Sequence, residues 1–179
     1  MTLRNIVLAF ALVVVATGTA EARRSRSLGG QRYSANGTFG LGLELGAPFG
    51  LNGKYFLTDT GALNFGLGAD GYYYRDQDGF NIYVDYLWHP LSLANPPAFQ
   101  LPLYIGVGGR IWDFNDNSRF NDGGAAFGIR VPGGIAFDFN NAPIDIFIQL
   151  TFVLDFYRAY RDDVGAGIEG SVGIRFWFD

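Results

Sequence analysis

Apolar residues recur at every second position through most of the chain, and the pattern breaks and restarts to give eight segments. An alternation of period two marks β-strands with two unlike faces. The segments run over 38–46, 51–57, 62–70, 80–89, 101–112, 125–139, 144–156 and 164–178. In the seventh, Ile144, Ile146, Ile148, Leu150, Phe152, Leu154 and Phe156 form one face, and Asp145, Phe147, Gln149, Thr151, Val153 and Asp155 form the other. The eighth sets Val164, Ala166, Ile168, Val172, Ile174, Phe176 and Phe178 against Gly165, Gly167, Glu169, Ser171, Gly173, Arg175 and Trp177. The first sets Phe39, Leu41, Leu43 and Leu45 against Gly40, Gly42, Glu44 and Gly46.

Eight such strands predict an all-β fold, an eight-stranded antiparallel up-and-down transmembrane barrel. The volume inside decides which face points where. An eight-stranded barrel has an interior just wide enough for side chains to fill. The bulky faces together carry too many Phe, Leu, Ile, Val and Tyr side chains to fit there. Turned outward, they leave small and charged residues for the lumen. The alternative, a soluble lipocalin-like barrel, would point Ile144 to Phe156 inward.

Charge follows the same division. Eleven charged residues fall in the segments: Glu44, Lys54, Asp70, Asp85, Arg110, Arg130, Asp138, Asp145, Asp155, Glu169 and Arg175. All eleven lie opposite the bulky face. A basic side chain facing lipid at mid-bilayer costs about 2–4 kcal/mol, so one-sided charge is what a lipid-facing wall requires. Closure of the barrel satisfies every backbone group without water.

The connections alternate in length. Thr58-Asp59-Thr60 and Asn140-Asn141-Ala142-Pro143 are short, whereas the polar stretches 73–79, 113–123 and 157–163 are longer. Short periplasmic turns and long outer loops put both ends of the barrel chain in the periplasm. Two connections depart from the rule: Ala47-Pro48-Phe49 is a very short outer loop, and Pro90 to Gln100 is a long inner one. Aromatic residues gather at strand ends as expected for headgroup belts: Tyr55, Tyr86, Trp88, Phe137, Phe139, Phe176 and Phe178 below, and Phe49, Tyr72, Tyr74, Phe80 and Phe156 above. Pro132-Gly133-Gly134 interrupts the sixth segment and predicts a bulge or kink.

The N-terminus reads as an address. Arg4 precedes the apolar run Ile6 to Ala16, and Ala20-Glu21-Ala22 is a small-x-small cleavage site, so residues 1–22 are expected to be a cleaved signal peptide. Eleven apolar residues are too few to span a bilayer as a helix. Residues 23–36 carry Arg23, Arg24, Arg26 and Arg32 without an acid and read as a flexible basic periplasmic leader. Residues 37–179 form the barrel.

Composition sharpens this picture. Of 179 residues 26 are glycine, about twice the usual share. Twelve of them fall on the inner faces, where they make room for bulky neighbours. The chain has no cysteine, which excludes disulfides, thiol catalysis and cysteine-based metal sites.

The terminal run Gly173-Ile174-Arg175-Phe176-Trp177-Phe178, the leader and the eight alternating strands together resemble the OmpA/OmpX-type small outer-membrane barrels of Gram-negative bacteria, most nearly the OmpX-like branch without an attached domain. The resemblance covers 37–179 and departs from the family at the final Asp179. It implies location in the outer membrane amid lipid and lipopolysaccharide, a monomer, and Phe176 and Phe178 as the signal read by the barrel-insertion machinery. It implies no activity.

Candidate chemistry is sparse. Glu44, Asp85 and Glu169 are expected to pair with Lys54, Arg110, Arg130 and Arg175 in a lumen charge network. The surplus acids Asp138, Asp145 and Asp155 are expected at the rims, in reach of water. A lumen this full predicts no open pore; a narrow passive pore is the alternative. A second alternative is an outer-membrane enzyme that modifies lipid A. It would need the single histidine, His89, three residues from Ser92 and expected at a strand rim. Gly66 to Gly71 spells a nucleotide-binding glycine motif, but within a strand rather than between a strand and a helix. Asp113 to Asn117 lacks the glycine and terminal glutamate of a calcium loop. The outer loops offer Tyr73, Arg75, Phe114, Arg119, Tyr157, Arg158 and Tyr160 for binding an extracellular ligand, since Tyr and Arg are enriched in hot spots. No cofactor, metal or nucleic acid is expected.

Overall fold

The computed structural model describes residues 33–71, 78–114, 124–157 and 164–178. Every regular element among them is a strand: β1 (Phe39–Gly46), β2 (Phe49–Phe56), β3 (Gly61–Gly71), β4 (Asp78–Ser92), β5 (Phe99–Gln100), β6 (Pro102–Phe114), β7 (Gly124–Phe139), β8 (Ile144–Tyr157) and β9 (Val164–Phe178). All pairings are antiparallel, and β1 pairs with β9 along its whole length, from Phe39 opposite Phe178 to Gly46 opposite Ser171. The sheet therefore closes into a barrel of eight long strands. Closure leaves no unpaired edge. The two-residue β5 continues the β6 ladder along β7 in one register: Gln100 faces Asp138 as Leu103 faces Ile135.

The faces divide as the alternation requires. Ile146, Ile148, Leu150, Phe152 and Phe156 point outward and are exposed, the reverse of the inward orientation named for a lipocalin-like barrel. Leu41, Leu43, Ile82, Val84, Ile105, Ile111, Ile168 and Ile174 join them on the outer wall. Ten of the eleven charged residues singled out above are buried inside; the side chain of the eleventh, Asp70, lies outside the described residues.

One end of the barrel carries the short turns. There Leu57 and Thr58 both donate their backbone N–H to the Gly61 carbonyl, and the Thr58 hydroxyl accepts from the Gly61 N–H at 2.9 Å. This turn end also holds the start of β1 and the end of β9. The opposite, loop end has a tight connection between β1 and β2. Gly46 makes it possible with φ of +129°, where a side chain would be strained.

Three expectations change. Pro132 causes no bulge: its register is unbroken against both β6 and β8, and the β6 ladder only skips the pairs at Val131 and Pro132. A missing N–H is tolerated because the remaining pairs hold the register. The bulge sits instead between Trp88 and Leu91, around Pro90, where β4 runs on to Ser92 rather than ending at 89. Third, Tyr33, read above as part of a flexible leader, is buried, with a relative exposure of 3%.

Candidate functional site

Among the described residues the fold concentrates polar chemistry in the lumen, and it is filled. Arg110 grips Asp155 with two bonds, Nε to Oδ1 at 2.9 Å and Nη2 to Oδ2 at 2.6 Å, and donates a third to Glu169. Arg130 bonds Asp85 at 3.2 Å, lies 3.6 Å from Glu169, and stacks its guanidinium 4.0 Å above the Tyr83 ring. Arg175 holds Asp145 at 2.8 Å and donates to Asn52 and Asn64 while resting 4.2 Å over Phe147. Bidentate Arg–carboxylate pairs of this kind carry both energy and geometric specificity.

Two expected members are placed differently. Glu44 has no cationic partner among the described residues; it accepts from the Tyr83 hydroxyl and from Asn52. Lys54 takes no carboxylate among them. Its ammonium bonds His89 Nε2 at 2.8 Å and sits over the rings of Phe56 and Tyr104, about 5 Å from each. A cation over an aromatic face keeps part of the stabilisation that a carboxylate would give. His89 in turn is not a wet rim residue but fully buried. Its Nδ1 lies 3.0 Å from the Thr60 carbonyl, which can only accept. The ring proton is therefore on Nδ1, and Nε2 is the acceptor for Lys54. Ser92 bonds Ala94 and Leu101, not His89.

The surplus acids are also corrected. Asp138, Asp145 and Asp155 lie toward strand ends but are buried at 2%, 1% and 4% exposure, so water does not solvate them freely. Asp145 and Asp155 have arginine partners, and Asp138 accepts from the Tyr33 hydroxyl at 3.2 Å. A buried carboxylate without a partner is costly, and each of these three has one.

A glycine lies under five of the long bonds. Arg110 on β6 and Asp155 on β8 both pair in register with Gly128 of the intervening β7. The same relation joins Asp85 and Arg130 over Gly108. It joins Asn52 and Tyr83 over Gly66, Tyr104 and Gln149 over Gly134, and Asn52 and Arg175 over Gly42. Strands two apart are separated by roughly 9–10 Å, and at these five places the two side chains meet over a residue that has none. A Cβ at Gly66 would fall 2.5 Å from the Tyr83 ring, and one at Gly128 would fall 2.2 Å from Asp155 Oδ1.

Charge alone would miss the neutral members of this network, Asn52, Asn64, Tyr83 and Gln149, which are all buried. Their positions on inward faces were the available signal. Phe176 and Phe178 point outward at the turn end, 5.2 Å apart, beside Phe39. Of the candidate loop residues, Tyr73, Arg75, Arg119, Arg158 and Tyr160 lie outside the described residues. The backbones of Phe114 and Tyr157 end β6 and β8 at the loop end.

No family model matches the chain, and no curated protein matches it. Among solved structures it is similar to the N-terminal β-barrel domain of Pseudomonas aeruginosa OprF, with a TM-score of 0.56 and 16% identity, over 80% of this chain and 98% of that one. The likeness is one of fold.

Proposed function

We propose that the chain is an integral outer-membrane β-barrel of structural or surface-interaction type, of the OmpA/OmpX-like kind, with a closed lumen. The observation that carries the reading is the sorting of side chains across the wall. Leucine, isoleucine, valine and aromatic residues cover the outside, and every described charge within the long strands is inside. In water such an outer face would be a very large apolar patch, which soluble monomers rarely expose. Against hydrocarbon it is at equilibrium. Outward Tyr55, Tyr86, Trp88, Phe176 and Phe178 at the turn end, and Phe49, Phe80 and Phe156 toward the loop end, suit the two headgroup levels.

On this reading residues 1–22 are removed on export, Phe176 and Phe178 present the insertion signal, and the turn end faces the periplasm. Lipid and lipopolysaccharide surround the wall, and extracellular ligands meet the outer loops. The similarity to the OprF barrel domain supports the fold on which this reading is built. The test is membrane fractionation followed by electrophoresis with and without boiling. The chain is expected in the outer-membrane fraction, beginning at Arg23 by N-terminal sequencing, with an unboiled form that migrates differently. Identical migration before and after boiling would overturn the barrel in the membrane.

A further inference from the structure

Two features remain outside that reading: the long turn-end connection with its prolines, and a leader that does not stay free. They meet at one place. The Tyr33 ring enters the turn-end mouth and stacks on His89, with centroids 5.3 Å apart and planes 29° from parallel. It also packs 5.9 Å from the Phe56 ring, in a cluster with Trp177. Its hydroxyl donates to Asp138, 105 positions away in the chain. Burial, together with the neighbouring Asp138 carboxylate, holds the Tyr33 phenol well above its usual range, which keeps it a donor.

The residues after it are fastened too. The Gln100 amide donates to the Ser34 carbonyl and to Asn36 Oδ1, both at 3.1 Å, and the Asn36 amide donates to Asn140 Oδ1 at 3.0 Å. Asn140 is itself bonded to the Pro96 and Pro97 carbonyls. The long connection therefore folds back to β7 through β5 and presents Gln100, beside Asn140 of the β7–β8 turn, to the incoming chain.

We propose that Tyr33–Thr38 is a stopper for the turn-end mouth of the barrel, with Tyr33 as the plug, Asp138 as its latch and the 93–100 connection as its retaining strap. The stopper closes the lumen over the Lys54–His89 pair. Withdrawing it would open a small aromatic-walled vestibule ending at that pair, while the salt bridges of Arg110, Arg130 and Arg175 still block the passage beyond. The proposal rests on the barrel and its closed lumen, not on which membrane holds it.

The test uses the full mature chain with Trp88→Phe and Trp112→Phe, so that Trp177 beneath the stopper is the only tryptophan. Quenching of its fluorescence by acrylamide, a neutral aqueous quencher, is measured in detergent or lipid. Tyr33→Ala is expected to raise the quenching constant several-fold, and Tyr33→Phe, which keeps the ring and loses the latch, to raise it less. No change with Tyr33→Ala in a protein that still shifts on boiling would overturn the stopper. If Tyr33→Ala fails to fold, Asp138→Ala is read instead: increased quenching supports the latch and unchanged quenching overturns it. Loss of the heat shift in the parent would mark failure of the barrel reading, which is a separate result.

Discussion

Asp85 and Arg130 sit on strands that are not paired with each other, β4 and β7, yet they are bonded at 3.2 Å across Gly108 of β6. The glycine is the empty position over which the two side chains meet. Repeated at Gly42, Gly66, Gly128 and Gly134, the relation ties strands together two at a time through the lumen, in addition to the backbone ladder. Part of the high glycine content is thus tied to the polar filling: at these five places the bond between next-nearest strands passes over a residue without a side chain.

The first prediction contrasts two adjacent glycines. A Cβ at Gly108 would fall 2.3 Å from the Val84 carbonyl oxygen and 2.2 Å from Asp85 Oδ1, and the backbone atom cannot move aside. At Gly109, on the outer face, the nearest atom would be 3.5 Å away. Gly108→Ala is expected to lose about 3–5 kcal/mol through the broken buried pair. Gly109→Ala is expected to be neutral or to gain up to about 1 kcal/mol. Urea midpoints of the refolded barrels measure both; similar midpoints would contradict the spacer role.

The second concerns Arg110. Arg110→Met leaves Asp155 and Glu169 buried beside an apolar chain, and a loss of about 3–5 kcal/mol is expected. The further change Asp155→Leu is expected to restore part of that loss, because the uncompensated charge goes with it. Denaturant unfolding of the single and double variants is the measurement. A double variant less stable than the single would show that Asp155 is satisfied without Arg110.

The third concerns the lone histidine. His89→Ala deletes the acceptor of Lys54 and the donor to Thr60, so about 1–3 kcal/mol of stability is expected to go. The lipid A species of cells carrying the variant are expected to match those of the unaltered protein by mass spectrometry. A lipid A form that disappears with His89 would point to the enzymatic alternative.

The fourth concerns passage. With three arginines locked across the lumen, liposomes holding the refolded barrel are expected not to swell in isotonic arabinose. Swelling at the rate given by a general porin would contradict a closed interior.

The architecture was legible because its rule is local. Strict alternation in Ile144 to Phe156 assigns both faces of β8 without knowledge of its neighbours, and the volume of a small barrel then fixes which face is inside. The pairings were not legible. Lys54 meets His89, and Glu44 meets Tyr83 and Asn52, because partner choice depends on strand register, which the alternation leaves open. Once register is set, glycines at Gly42, Gly66, Gly108, Gly128 and Gly134 leave room for five of the bonds across. Pro132 was misleading because one lost ladder bond does not require a bulge, whereas Pro90, near a strand end, took part in one. The ordered Tyr33 left no periodic signal: a single aromatic in a polar stretch has no face to declare.

Tryptophan position relative to lipid tests the orientation of the wall most directly. Trp88 points outward and Trp177 points into the lumen. Two single-tryptophan proteins, Trp112→Phe/Trp177→Phe and Trp88→Phe/Trp112→Phe, are reconstituted in phosphatidylcholine with and without bromine at shallow acyl-chain positions. Bromolipid is expected to quench most of the Trp88 emission and to spare most of the Trp177 emission. Equal quenching of the two, or no quenching of Trp88, would contradict a barrel that turns its apolar face to the membrane and its charges inward.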